Sequence, residues 1–234
     1  MELRTSGVYV ITGGGGALAV AVAEVFHSAG AALLLSDVRE EGLAERAGRL
    51  GAAWHVGDLT SPAAAEAMAG EAERRFGRVD GLIHLAGGFS FASVPETGAD
   101  ALAGMLDGNL RSLHNAVRAV LPGMLARGDG FVAGISSSVV WSGSGAAGMA
   151  AYAAAKAGVA FYLRSLDAEA RGRGVRVSVV FPLAPIDTPA NRRAMPDDDP
   201  RTWVDPAAIG EALLFASTRP ARGRVVDLPV GVGR

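Results

Sequence analysis

At 234 residues, half of them hydrophobic, the chain has the length and apolar content for a single complete core, and one domain is expected over residues 1–234. A formal charge of -2, with Lys and Arg scattered along the chain, offers no basic face to nucleic acid, and the absence of cysteine excludes disulfides, thiolate metal sites and a cysteine nucleophile, which fits a reducing compartment. No metal is expected from the dispersed His27, His55, His84 and His114, no apolar run reaches the roughly 18 to 20 residues of a membrane span, and the start Met1-Glu2-Leu3-Arg4 lacks export-signal features, so a cytoplasmic protein is expected.

The first apolar run, Val8 to Ile11, has strand length and no polar alternation, as for a strand covered on both faces. Thr12-Gly13-Gly14-Gly15-Gly16-Ala17-Leu18 then opens a helix from Ala17 to Ala29. Clustered glycines let the backbone approach a pyrophosphate, and a helix N-terminus supplies free amides and a positive dipole end. A flexible turn is the plainer reading of such a cluster; its place between first strand and first helix favours a dinucleotide. After a strand at Ala31 to Leu35, Asp37 stands about 20 residues beyond the glycines, where a carboxylate can accept from ribose hydroxyls and repel a 2′-phosphate. That favours NAD(H) over NADP(H), with Arg39 able to offset the repulsion, and a capping or turn role for Asp37 as the alternative.

A helix is predicted over Glu40 to Leu50 and a strand over Ala52 to Val56, followed by Gly57-Asp58-Leu59-Thr60. Asp58 can accept from an adenine amino group while the backbone at Leu59 shapes the pocket, or it can simply turn the chain into the helix Pro62 to Phe76. A strand at Leu82 to Leu85 leads to Ala86-Gly87-Gly88-Phe89, and a long helix spans Ala99 to Ala126. Next come a strand at Phe131 to Ile135, Ser136-Ser137-Ser138, a helix from Met149 to Arg171, a strand at Val175 to Phe181, a helix from Pro206 to Ala216 and a strand at Val225 to Leu228. Alternating strands and helices predict a seven-stranded parallel sheet of the α/β doubly wound class, with helices on both faces and the ligand at the carboxyl ends of the strands.

Tyr152 and Lys156 lie one helical turn apart on one face. A phenol exchanges protons near neutrality only if a cation stabilises its phenolate, and Lys156 can supply that charge. The plainer reading has Tyr152 packing and Lys156 snorkelling outward.

Together these segments resemble the classical short-chain dehydrogenases/reductases over essentially the whole chain. The resemblance rests on the glycine turn Thr12 to Gly16, Asp37, Asp58, Ala86-Gly87, Asn109, Ile135-Ser136-Ser137-Ser138 and Tyr152-Ala153-Ala154-Ala155-Lys156, in the family's order. It implies a Rossmann-type sheet, a nicotinamide dinucleotide and a catalytic Asn-Ser-Tyr-Lys set. Tyr152 then matches the general acid/base, Lys156 the residue that lowers its pKa and binds the nicotinamide ribose, and Asn109 the holder of a relay water. Ser137, with Ser138 as the alternative, matches the serine that polarises a substrate carbonyl. Gly88, Pro182 and Thr188 join the cofactor set, Thr188 where the family contacts the carboxamide. The chain departs from the family at Ala17 and Ala19, which replace glycines; at His84-Leu85-Ala86-Gly87, where Asn-Asn-Ala-Gly is usual; and at Pro182-Leu183, where Pro-Gly is usual.

A narrower resemblance, to dihydropteridine reductases, rests on Ala86-Gly87-Gly88-Phe89, Pro182, Asp187 to Arg192, Met195-Pro196 and Trp203. The expected function is hydride transfer between NAD(H) and a carbonyl or alcohol on a small, hydrophobic or planar substrate, facing Phe89, Phe91, Trp141, Met149, Leu183, Met195 and Trp203. Dihydropteridine reduction and a non-catalytic dinucleotide sensor are the alternatives. No membrane or nucleic-acid partner is expected; a homodimer or homotetramer is, through the two long helices.

Overall fold

A computed structural model describes Leu3 and residues 5–232; Met1, Glu2 and Arg4, part of the start read for an export signal, lie outside the described residues. The strands are β1 (Val8–Thr12), β2 (Ala32–Asp37), β3 (Ala53–Val56), β4 (Gly81–His84), β5 (Gly130–Ile135), β6 (Val175–Pro182) and β7 (Asp227–Val230). Every pairing is parallel, and the order is β3-β2-β1-β4-β5-β6-β7. The connecting helices are α1 (Ala17–Ser28), α2 (Leu43–Arg49), α3 (Pro62–Phe76), α4 (Ala99–Leu106), α5 (Ser112–Arg127), α6 (Ser138–Ser142), α7 (Ala150–Ala170), α8 (Pro189–Ala194) and α9 (Pro206–Ser217). The expected α/β doubly wound sheet is the observed one.

Strand residues of alternating parity feed two cores, as a two-residue period requires. Val10, Leu34, Leu82 and Val132 face Met68 of α3, Leu113 of α5 and Leu163 of α7. Ile11, Leu35, Ile83 and Phe131 face Val22 and Phe26 of α1, Leu43 of α2 and Leu213 of α9. Burying both faces is why the strands read as unbroken apolar runs. In α1 the buried positions Ala19, Val22, Ala23 and Phe26 follow the helical spacing. The methyl of Ala19, where the family carries glycine, is fully accommodated in this face.

Three boundaries differ from expectation for identifiable reasons. The first predicted helix of the β2–β3 connection begins at Leu43 rather than Glu40, because Gly42 takes a left-handed conformation with φ 70° immediately before it. The last strand runs two residues later than its apolar pattern, because Asp227, held by both oxygens to Arg164, enters the ladder opposite Val179. The long helix is interrupted between α4 and α5 by a π-turn over Asp107–Arg111. Side chains take up carbonyls of the widened turn: Asn109 Nδ2 donates to the Met105 carbonyl at 2.9 Å, and Ser112 Oγ to the Gly108 carbonyl at 2.7 Å.

Because the chain starts at the sheet centre and winds outward in both directions, connections leave β1 and β4 toward opposite sides. A crevice opens at the carboxyl ends of these two strands.

Candidate active site

That crevice is a cavity of about 410 Å³. Its walls include Gly13 and Gly16 from the first turn, Asp37, Val38 and Arg39 after β2, Asp58 and Leu59 after β3, and Ala86 to Gly88 after β4. Gly104, Met105, Gly108 and Ser112 close it from the α4–α5 side.

The glycine turn is tight against its neighbours. Gly13 has φ 70°, and a Cβ there would lie 2.9 Å from the Ala86 amide nitrogen. A Cβ on Gly14 would lie 2.9 Å from that of Leu35, whereas on Gly16 it would meet only the Gly13 carbonyl. The turn is fixed by Gly14 N–H to the Ser36 carbonyl at 2.9 Å and Gly16 N–H to the Gly13 carbonyl at 2.8 Å. The first helical bond is Val20 N–H to the Gly16 carbonyl, so the amides of Ala17, Leu18 and Ala19 precede the helical ladder. Asp37 reaches the turn: Oδ2 accepts from Gly15 N–H at 2.8 Å and Oδ1 from Arg39 N–H at 3.1 Å. Asp58 is exposed and accepts from Thr60 N–H at 2.9 Å. Thr12 is wholly buried beneath the turn, its hydroxyl accepting from the Leu85 and Ala86 amides, both at 3.1 Å.

Asn109, Ser137, Tyr152 and Lys156, the four residues expected to manage the proton, converge around Gly87 and the end of β5. A Cβ on Gly87 would lie 2.4 Å from Asn109 Oδ1 and 3.5 Å from Lys156 Nζ. Asn109 clasps the Gly88 backbone, accepting from its N–H at 3.3 Å and donating to its carbonyl at 3.2 Å. Lys156 Nζ donates to the Ile135 carbonyl at 3.2 Å and lies 5.9 Å from the Tyr152 ring centre. Ser136 is turned away from the cleft, donating to the Lys156 carbonyl at 2.9 Å. The buried Ser137 hydroxyl makes no hydrogen bond within the protein, although it stands close enough to the Tyr152 phenol to act on its acidity. Ser138 is half-buried and begins α6.

Burial sets the acidities. It pushes the Tyr152 phenol above its ordinary value of 10.0, against the lesser, opposing effect of the Ser137 hydroxyl. It pushes the Lys156 ammonium down to about 8. The phenol is therefore protonated at neutral pH.

Thr188 and Pro182, expected to join the cofactor set, are not among the cavity walls. Thr188 caps α8, its hydroxyl accepting from Asn191 N–H at 3.2 Å, and Pro182 is the buried last residue of β6. Among the apolar candidates, Phe89 meets the Tyr152 ring edge-on at 4.9 Å and is 58% exposed, so it can face an incoming molecule. Phe91 lies over Gly148, and the same two loops are joined by Ala92 N–H to the Gly148 carbonyl at 2.8 Å. Trp141 rests on Phe181 with centres 5.1 Å apart, and Leu183 is exposed. Met149 and Met195 are half-buried. Trp203 is a packing residue instead, buried where Val204 bridges to Ile186 and draws its segment inward.

Sequence reasoning passed over Asn115, whose Nδ2 donates to the Leu59 and Thr60 carbonyls at 2.9 and 3.0 Å and so holds the Asp58 loop. It also passed over Ser112. The signal was present: Asn109, Ser112 and Asn115 recur every third residue and are buried, while the intervening Arg111 and His114 are exposed.

The family model described as short chain dehydrogenase matches residues 7–199. An uncharacterised oxidoreductase of Staphylococcus aureus (strain MW2) is 29% identical over 98% of this chain and 99% of its own length. A 2-(S)-hydroxypropyl-CoM dehydrogenase of Xanthobacter autotrophicus is 34% identical over 96% of this chain and 82% of its own length. Among solved structures, levodione reductase superposes with a TM-score of 0.85 at 26% identity, covering 98% of each chain. Among the described residues, no helix is long and apolar enough to cross a membrane, and no group of acidic and histidine side chains could hold a metal ion.

Proposed function

The chain belongs to the short-chain dehydrogenase family, and we propose that it is an NAD(H)-dependent oxidoreductase interconverting a carbonyl and an alcohol on a small, largely apolar or planar substrate. The observation that carries the reading is the convergence of the protonated Tyr152 phenol, the buried Lys156 ammonium, Asn109 and the unpartnered Ser137 hydroxyl beside a glycine-rich crevice.

The residues fit a nicotinamide dinucleotide. The turn Gly13 to Gly16, the amides of Ala17 and Leu18 and the adjoining cavity suit a pyrophosphate, and Asp58 with Leu59 edges an adenine site. Asp37 lies beside the turn with its carboxylate half-exposed, supporting ribose hydroxyls over a 2′-phosphate. Ala86 to Gly88, Pro182 and Thr188 complete the set. Such a cofactor, when bound, supplies or takes the hydride.

The chain's own residues manage the proton. Ser137 has a free donor to polarise a carbonyl oxygen, and a buried hydroxyl without a protein partner is accounted for when a substrate atom completes it. Tyr152 gives that oxygen its proton. The nearby Lys156 charge favours the phenolate left behind, and Asn109 holds the Gly88 backbone beside both. Phe89 walls the phenol with an aromatic edge, which supports an apolar or planar substrate. The names of two relatives, a hydroxypropyl-CoM dehydrogenase and a levodione reductase, support alcohol and ketone chemistry.

The test is an NADH-oxidation screen over simple ketones, cyclic diones, ketosteroids, quinonoid dihydropterin, acyl thioesters and sugars, with NADH and NADPH binding titrated in parallel. Turnover of an apolar or planar carbonyl with tighter NADH binding is expected. Preference for a polyhydroxylated sugar overturns the substrate class, tighter NADPH binding overturns the role of Asp37, and binding without any turnover leaves a dinucleotide sensor.

A further inference from the structure

His84 closes β4 almost fully buried, between the glycine turn and the π-turn, and both ring nitrogens are engaged. Nδ1 lies 3.0 Å from Thr12 Oγ1 and Nε2 lies 3.1 Å from Ser112 Oγ. The proton positions follow by elimination. Ser112 must donate to the Gly108 carbonyl, which can only accept, so it has no proton left for the ring. Nε2 therefore carries the hydrogen and donates to Ser112, leaving Nδ1 bare to accept from Thr12. The Thr12 oxygen in turn accepts from the Leu85 and Ala86 amides. The ring is neutral, as its burial, reinforced by the Lys156 charge, demands: its pKa is pushed down to about 3.

The result is one directed chain: Leu85 and Ala86 amides to Thr12, Thr12 to His84, His84 to Ser112, Ser112 to the Gly108 carbonyl. Every donor along it is used, and the Thr12 oxygen accepts twice while donating once. It starts in the loop that shapes the cofactor crevice and ends on the residue immediately before Asn109. Asn109 itself returns to the same loop through Gly88. Loop and π-turn are thus tied at two points, and each tie limits movement at the other.

The geometry points to His84, acting through Ser112, as a positioning residue for Asn109: it fixes the π-turn against the loop after β4 and so sets where the Asn109 carboxamide stands in the proton-transfer site. The π-turn interrupts the regular α4–α5 helix, and its Met105 and Gly108 carbonyls are taken by the side chains of Asn109 and Ser112. An imidazole spans the gap between two buried hydroxyls, accepting on one side and donating on the other.

The inference rests on the proposed proton-transfer role of Asn109 for its kinetic consequence, and on geometry alone for its structural one, so the test reads both. In Ser112→Ala the chain is cut beyond His84 without altering β4 or the glycine turn; Ser112→Thr keeps the hydroxyl. The Asn109 side-chain amide resonances, followed by NMR with and without NADH, are expected to move in Ser112→Ala and return in Ser112→Thr. With the substrate found by the carbonyl screen, kcat should fall about tenfold in Ser112→Ala, the worth of about one hydrogen bond, and recover in Ser112→Thr. His84→Gln, which keeps an amide donor toward Ser112, should fall between the two. Unchanged Asn109 resonances in Ser112→Ala overturn the inference, as does a loss of thermal stability with kcat intact. If the wild-type protein turns over nothing, the proposed function fails while the resonances still decide this point.

Discussion

Replacing Lys156 by Met should make the protein more stable while removing its activity. Lys156 is 6% exposed, forms no salt bridge among the described residues, and its ammonium has the Ile135 carbonyl as protein acceptor. Its fall from the ordinary 10.5 to about 8 amounts to about 3 kcal/mol of disfavoured charge, at about 1.4 kcal/mol for each tenfold in proton affinity. Met fills similar volume without charge, and the cost of leaving the Ile135 carbonyl alone is about 1 kcal/mol. A net gain of about 2 kcal/mol at neutral pH is expected from urea unfolding. The pH dependence identifies the cause. Below about 8 the lysine is charged in both folded and unfolded chains, so the penalty is full and constant; between about 8 and 10.5 the folded chain sheds the proton while the unfolded chain keeps it, and the wild type gains stability as pH rises. The gap between variant and wild type should therefore close across that window. A variant less stable than wild type at pH 7, or a gap that stays flat through the window, would refute the reasoning.

Tyr152→Phe should lower kcat by about 10² to 10⁴ with NADH binding retained, measured by turnover beside fluorescence titration; near wild-type turnover would remove the phenol from the mechanism. Gly13→Ala, which combines φ 70° with a Cβ 2.9 Å from the Ala86 nitrogen, should destabilise the fold by about 1 to 3 kcal/mol and weaken cofactor binding, read by thermal melts and titration. The His84 ring should stay neutral by NMR throughout the ordinary range near pH 5 to 8. Because its folded pKa of about 3 lies below the ordinary 6.5, the unfolded chain binds the extra proton, and this residue withdraws stability as pH falls from 6.5 toward 3; His84→Gln should flatten that part of the acid limb. Light scattering at micromolar concentration should show a homodimer or homotetramer, since Phe161 on α7 is 65% exposed and Leu102 on α4 is 41% exposed; a monomer would refute this.

Much of this architecture is legible in the sequence because a sheet buried on both faces writes its strands as apolar runs, and each such run ends in polar or glycine residues where the crevice must be. The spacing of Tyr152 and Lys156 is visible for the same reason: one helical turn is a local property. What escapes local reading is what depends on partners distant in sequence. Asp227 reads as an interior residue of the strand predicted over Val225 to Leu228 until Arg164, 63 positions away, is seen to hold it at the strand's first position. Trp203 reads as a substrate-facing residue until the Ile186–Val204 bridge turns it inward. The π-turn is hidden because Gly108 and Asn109 are compatible with an ordinary helix; it is the capture of Asn109 by Gly88, 21 positions earlier, that makes the irregular turn hold.

The clasp between Phe91 and Gly148 carries a consequence for anyone who would redesign this protein. Gly148 has φ 74°, and any side chain there would start 2.7 Å from the Phe91 ring. The two rims of the cleft are therefore epistatic. A directed-evolution library that varies position 148 while holding Phe91 constant samples side chains that collide with the ring. Position 91 and position 148 should be varied as a pair, and loops transplanted from relatives should be moved together, so that substrate scope is inherited as a unit rather than assembled residue by residue.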